Sequence, residues 1–448
     1  MIRQIALSTS LLALTACASL APKTDVISHA IDLPADYDKA AELTEARAIE
    51  PDWWAAFGSA RLDELVAEAL SANQTLAGGI ANIEAARAAL KASNASLLPQ
   101  ASGSLSASSD TDRGLDDVSS SGRLSASYQL DLFGANAAGR EASRASLEAS
   151  EFAQRALELT VQSDVATTYF NLLATREQLA VAQQNLEISE RIFQIVEVRY
   201  KAGAISGFDV SSQRAQLANA RARIPELNAQ ITSLETSLAI LLGRAPQGYV
   251  APEEAILDLA LPAADPSLPA DLLLRRPDLL QSEAGLRAAN ANVTAARAAF
   301  LPALDLGVAL SSVLSGGGDL TGSLSASLAQ SIFSGGRLEG QLESAKARRE
   351  AQLADYRGTI LSALRDVDVS LTSIDANASR EEQLLVARDA SKEALDAAEL
   401  RYRAGTDDLT SLLTSQQAYF TASDSYVQGR LNRLTSALNL YVALGGGY

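Results

Sequence analysis

The sequence predicts a mostly α protein with a small β part, built as a duplicated unit of about 200 residues per copy. Three observations predict it. Arg199-Tyr200-Lys201-Ala202-Gly203 recurs as Arg401-Tyr402-Arg403-Ala404-Gly405, and Ser96-Leu97-Leu98-Pro99 is answered by Ala299-Phe300-Leu301-Pro302 at nearly the same offset. Stretches 136–200 and 337–402 hold no proline and little glycine. Segments 121–132 and 303–311 alternate apolar with polar residues, as a strand with one face of each kind does.

The chain has 448 residues, of which 47% are apolar and 20% charged, so it is no disordered tail. The apolar share is mostly Ala and Leu, with aromatics at 5%. Together with Glu, Arg and Gln this mixture favours long, closely packed helices. A net charge of −17 argues against nucleic-acid binding, which needs a basic footprint. One cysteine allows no intramolecular disulfide and makes a thiolate metal site unexpected.

Residues 1–16 have the form of a secretory signal: Arg3, then an apolar run from Ile5 to Ala13 that is too short to span a bilayer. It ends Leu14-Thr15-Ala16-Cys17, which resembles a bacterial lipobox, so Cys17 is expected to become the acylated N-terminus. Residues 17–50, rich in Pro, Asp and Ala, read as a tether running out from the anchor.

Each copy has the same parts in the same order. The first copy spans 51–242 and the second 276–448, joined by a linker at 243–275. A helical approach, roughly 60–95 and 277–298, ends at Pro99 and Pro302. Paired strands follow, at about 100–110 and 121–132, then at about 302–312 and 321–332. Leu124, Ala126, Tyr128 and Leu130 share one face of the second strand, while Ser and Ala dominate 102–108 and 321–327. Polar or Gly-rich loops, including Gly316-Gly317-Gly318, lie between the two strands of each pair. Next come helical stretches of some 65 residues, each about 100 Å long at about 1.5 Å per residue. Such a helix belongs to a coiled coil or to a long wall. A Gly-containing turn at 203–207 and 405–408 leads into a returning helix.

Strands of about ten residues match the span of a tilted transmembrane β-strand. Four cannot close a barrel, and an open edge cannot sit in hydrocarbon. Several chains must therefore share one barrel: two would give eight strands and a filled lumen, three would give twelve and a pore. A soluble trimeric stalk or adhesin is the alternative.

Three further motifs carry a family resemblance. They are Asp52-Trp53-Trp54-Ala55-Ala56-Phe57, Arg275-Arg276-Pro277-Asp278-Leu279, and the doubled Arg-Tyr-x-Ala-Gly at two helix turns. With these the chain resembles the outer membrane factors, the TolC-like exit ducts of tripartite systems, and especially their NodT-type lipoprotein branch. The resemblance implies a homotrimer with a twelve-stranded β-barrel in the outer membrane, continued by an α-helical barrel of roughly 100 Å in the periplasm, and an equatorial collar. Trp53, Trp54 and Phe57 would be collar core. It also implies a passive channel for small molecules such as drugs, opened by a periplasmic adapter and an inner-membrane pump of the resistance-nodulation-division type. A type I protein-secretion duct is the nearer alternative.

The resemblance places function at the periplasmic tips. Arg199, Gly203, Ala204, Ile205 and Ser206 of the first hairpin, with Arg401, Gly405 and Thr406 of the second, would meet the adapter. Closure in such ducts uses an aspartate of the first hairpin held by an arginine and a tyrosine of the second. Asp209 and Tyr402 match the aspartate and the tyrosine, but Asp407 stands where the arginine belongs. Either another group such as Arg403 takes that part or the resting tip is held differently. Asp407 and Asp408 would supply six carboxylates at the aperture of a trimer, where Ser411 and Thr414 stand in place of the family's acidic ring. No catalytic constellation, cofactor motif or metal cluster is read: His29 is the only histidine, and Glu381-Glu382 reads as a solvated helix face.

Overall fold

The computed structural model describes residues 50–109, 118–262, 272–315 and 319–447. Cys17, His29 and the Gly316 to Gly318 run lie outside the described residues. After a 3-10 turn at Trp53–Phe57, the first copy comprises α1 (Ala60–Ala72), α2 (Gln74–Ala95), β1 (Gln100–Ser109), β2 (Val118–Leu130), α3 (Ala135–Lys201) and α4 (Gly207–Leu241). The linker carries α5 (Leu272–Arg275), and the second copy comprises α6 (Pro277–Ala298), β3 (Ala303–Val313), β4 (Thr321–Ala329), α7 (Arg337–Ala404) and α8 (Leu409–Ala443).

The helical approach to β1 is two helices, not one. Asn73 divides it: its Oδ1 accepts from the amides of Thr75 and Leu76, while its Nδ2 donates to the Leu241 carbonyl. The second strand stops at Leu130, two residues short of the alternation. Asp131 turns out of the sheet to cap α3, accepting from the amides of Asn136 and Ala137.

The chain forms two compact units that cut across the sequence repeat. One contains the strands with 79–154 and 278–360. Its sheet runs β1-β2-β3-β4, antiparallel throughout, so β2 and β3 join the two copies. The register sorts the faces. Gly103, Leu124, Leu310 and Gly322 lie in one cross-strand row, Ala101, Ala126, Val308 and Leu324 in the next, and Leu130, Leu304 and Leu328 in another. Serine dominates the opposite face, with hydroxyls paired across strands at 3.0 Å (Ser102 and Ser125) and 2.8 Å (Ser106 and Ser121). The apolar face is open: Leu105 is 82% exposed and Leu324 87%. Both outer strands, β1 and β4, keep one edge without a strand partner among the described residues.

The other unit contains 155–277 and 361–448 together with the segment up to 78. Part of its core forms around Trp53 and Phe57, both essentially buried. The Trp53 ring stacks on Tyr441 at 5.7 Å, Phe57 tilts against Phe170 at 5.1 Å, and the Trp53 indole donates to Gln162 at 3.0 Å. Arg276 donates to the Ala443 carbonyl at 3.0 Å, tying the Arg-Arg-Pro-Asp segment to the end of α8. Glu381 departs from its sequence reading. It is buried, 2.7 Å from Arg433 and 3.5 Å from Arg430, whose guanidinium also reaches the Leu257 and Leu259 carbonyls of the linker. A carboxylate this deep needs such partners.

Candidate functional site: the paired hairpin tips

Both helix turns are built by the same local chemistry. At the end of α3, Gly203 takes φ 72° and the amide of Ala204 returns to the Arg199 carbonyl at 2.9 Å. Gly405 takes φ 76° after α7, with the Thr406 amide on the Arg401 carbonyl at 3.1 Å. A side chain bearing Cβ is strained at that φ, which is why both positions are glycine.

The returning helices are capped by mirrored pairs. At the first tip Ser206 is the N-cap, and the Asp209 carboxylate accepts from its amide and its hydroxyl, both at 2.8 Å. At the second tip Asp408 is the N-cap and accepts from the Ser411 amide at 2.8 Å. The serine and the aspartate have traded places. Ser-x-x-Asp and Asp-x-x-Ser just before helices are sequence signals for capping, and they were legible at 206–209 and 408–411. Hydrogen bonds from Ser411 hold the Asp408 carboxyl below its ordinary range. Asp407 is half-buried and accepts from the Asp408 amide at 2.9 Å.

The two copies of the Arg-Tyr pair have opposite fates. Tyr200 is half exposed, whereas Tyr402 is 1% exposed within an apolar cluster of Ile188, Ile192, Val196, Leu395, Leu409 and Leu412. Arg199 lies over the Tyr402 ring, 4.6 Å from its centroid, and donates to the Tyr402 carbonyl at 2.8 Å. Among the described residues the buried Tyr402 hydroxyl has no hydrogen-bond partner. Burial pushes its pKa up, with Asp209 adding to the rise and Arg199 opposing it.

Arg199 is thus turned inward, across to the second hairpin, and is not simply displayed at the tip. Asp209 lies close enough to Tyr402 to act on it electrostatically, yet its hydrogen bonds are spent on its own cap. Arg403 does not reach Asp209. It pairs with Glu399 at 2.6 Å, and Glu399 also holds Arg191 at 3.1 Å. Gly203, Ala204, Ser206, Arg401, Gly405 and Thr406 are exposed, Ile205 packs partly on the apolar cluster, and exposed Phe208 beside them was missed. Further from the turns, Gln416 donates to Asn185 and Ser189 at 3.1 and 2.6 Å, and Gln213 to the Ser189 carbonyl at 3.0 Å. This is a buried polar layer joining α8 and α4 to α3.

Comparison with known proteins places this geometry. The family model described as outer membrane efflux protein matches twice, at residues 65–244 and 268–446, once for each copy of the duplicated unit. The pyoverdine export outer membrane protein OpmQ of Pseudomonas aeruginosa is 36% identical over 413 residues, covering 88% of this chain and 87% of its own. The probable efflux pump outer membrane protein TtgC of Pseudomonas putida is 31% identical over 426 residues, covering 91% and 87%. Among solved structures, the outer-membrane channel OprN superposes with a TM-score of 0.85 at 27% identity, over 96% of this chain and 99% of that one. With both halves matched and the fold shared over nearly its whole length, the chain belongs to the outer membrane efflux protein family and is an outer-membrane channel component.

Proposed function

We propose that three copies of this chain form a passive exit duct for small molecules, opened at its periplasmic tips by an adapter that couples it to an inner-membrane pump. The observation that carries this reading is the doubled tip: two glycine turns, each capped and each ending a helix of 67 or 68 residues, with an arginine of the first tied to a tyrosine of the second. The sheet supports the assembly. One apolar and one hydroxyl-lined face suit lipid outside and water inside, and the two open edges require neighbours. Three chains give twelve strands and a pore.

The resting tip is held by the Arg199 and Tyr402 contact, which takes the part that Asp407 cannot play. An adapter at the exposed turn residues pulls the second hairpin from the first and breaks that contact. Asp209, Asp407 and Asp408 line the aperture as carboxylates. Cys17 carries the lipid anchor. The chain performs no chemistry and needs no cofactor. Energy comes from the pump, for which the family resemblance implies the resistance-nodulation-division type, and the relatives named for pyoverdine export and for efflux support small organic cargo.

In-cell crosslinking from a photoreactive residue at Ala204 or Thr406, read by mass spectrometry, tests this. An adapter together with a proton-driven pump is the expected result. An ATP-driven exporter in the crosslinked set would move the reading to protein secretion. Crosslinks only among copies of this chain, in cells expressing candidate adapters, would overturn the tripartite reading.

A further inference from the structure

The polar face of the sheet is hydroxyl-rich and nearly free of charge. β1 and β4 place a serine or threonine at most of its positions, and these pair across strands, as Ser108 does with Ser119 at 3.0 Å and Ser311 with Thr321 at 2.9 Å. Arg123 is the single cation on that face among the described residues. It stands opposite Ser104 on β1 and Ser311 on β3, and it is exposed.

No described residue offers it an ion pair or hydrogen bond. Asp305, the one carboxylate on the face among the described residues, sits opposite Gln129 and Ser327. Gln129 is six positions along β2 from Arg123, about 20 Å at about 3.3 Å per residue. That exceeds the screening length of about 8 Å at physiological salt, so Asp305 does not neutralise Arg123. Among the described residues the guanidinium thus has no partner in the sheet, and it stands on the hydroxyl-lined face.

We propose that Arg123 makes an anion-binding station inside the β-barrel, taking solutes that carry carboxylate, sulfate or phosphate groups. This rests on the trimeric duct reading above. Threefold symmetry brings three guanidiniums to one level of a wall otherwise made of hydroxyls. Each offers planar paired donors that match such oxyanions, and Ser104 and Ser311 place further hydroxyls beside it. Rings of arginine serve anion passage in pores because binding there is shared and weak enough to release. In a chain of net charge −17 this ring is, among the described residues of the sheet's polar face, the place where an anion is favoured.

The test is current block in planar bilayers holding the purified trimer, with inositol hexakisphosphate added on the side of the strand loops. Block by the polyanion is expected in the unmodified protein. Arg123→Ala should weaken it at least tenfold, Arg123→Lys should retain most of it, and Asp305→Asn should leave it unchanged. Equal block in Arg123→Ala would overturn the station while leaving the duct intact. An inserted trimer that passes no current even when Arg199→Ala is added to release the tips would overturn the duct reading and the station with it.

Discussion

Replacing Arg199 by alanine removes both links between the first hairpin and Tyr402. A hydrogen bond from a charged donor contributes about 1.5–3 kcal/mol, and a cation over an aromatic face at an exposed site about 0.5–1 kcal/mol. Arg199 is partly exposed, so solvent weakens both, and about 2 kcal/mol per chain is a fair sum. That shifts the open-to-closed ratio by about 30-fold if one contact decides opening. If three must release together, the shift is the cube of that factor. Two readouts suit it: leak current of the purified protein in a planar bilayer, and vancomycin susceptibility of cells, since that antibiotic is too large for an intact outer membrane. Arg199→Lys keeps the charge but loses the planar fork, so it should leak to an intermediate degree. If Arg199→Ala, present at normal levels, shows neither raised current nor raised susceptibility, the contact does not hold the tip.

Other outcomes follow from the same geometry. Tyr402→Phe keeps the ring beneath Arg199 and deletes a buried hydroxyl that lacks a partner, so it should leave leak current unchanged and raise the melting temperature slightly; a leaky Tyr402→Phe protein would mean that the hydroxyl itself latches the tip. Asp408→Ala removes the cap of α8 and should lower local stability, seen as faster amide exchange at 409–412. Because the folded carboxyl of Asp408 lies below the ordinary 3.8, its contribution is complete above pH 3.8 and lost as the pH falls through the lower folded value, so exchange at 409–412 should accelerate only below that point. Trp53→Ala opens a cavity in the collar and breaks the stack on Tyr441; it should cost about 3–5 kcal/mol and lower the melting temperature of the purified protein without altering leak through trimers that do assemble.

The duplicated helices, the tip turns and the alternation of β2 and β3 were legible because each is a local or self-similar pattern. A Pro-free run, a repeated Arg-Tyr-x-Ala-Gly and a period of two need no partner to be seen. β1 was faint for the opposite reason. Its run of Ser, Ala and Gly shows little contrast until the register sets Gly103 beside Leu124 and Leu105 beside Gly122, and that pairing is long-range. The two tyrosines of the repeated motif make the same point. Tyr200 and Tyr402 are indistinguishable in sequence, yet one is half exposed and the other buried, because burial depends on which helix face meets the other hairpin. Arg199 finds its partner 203 residues away, beyond any local pattern. Glu381 read as solvated for the same reason: Arg430 and Arg433 reach it from another helix.

The most direct test of the central claim is single-particle electron cryomicroscopy of the purified chain in lipid nanodiscs. The expected result is a threefold particle with a closed barrel of twelve strands, β1 of each chain paired with β4 of the next, and a continuous lumen narrowed at the two hairpin tips. A closed pair of chains with eight strands, or a threefold stalk without a lumen, would contradict it.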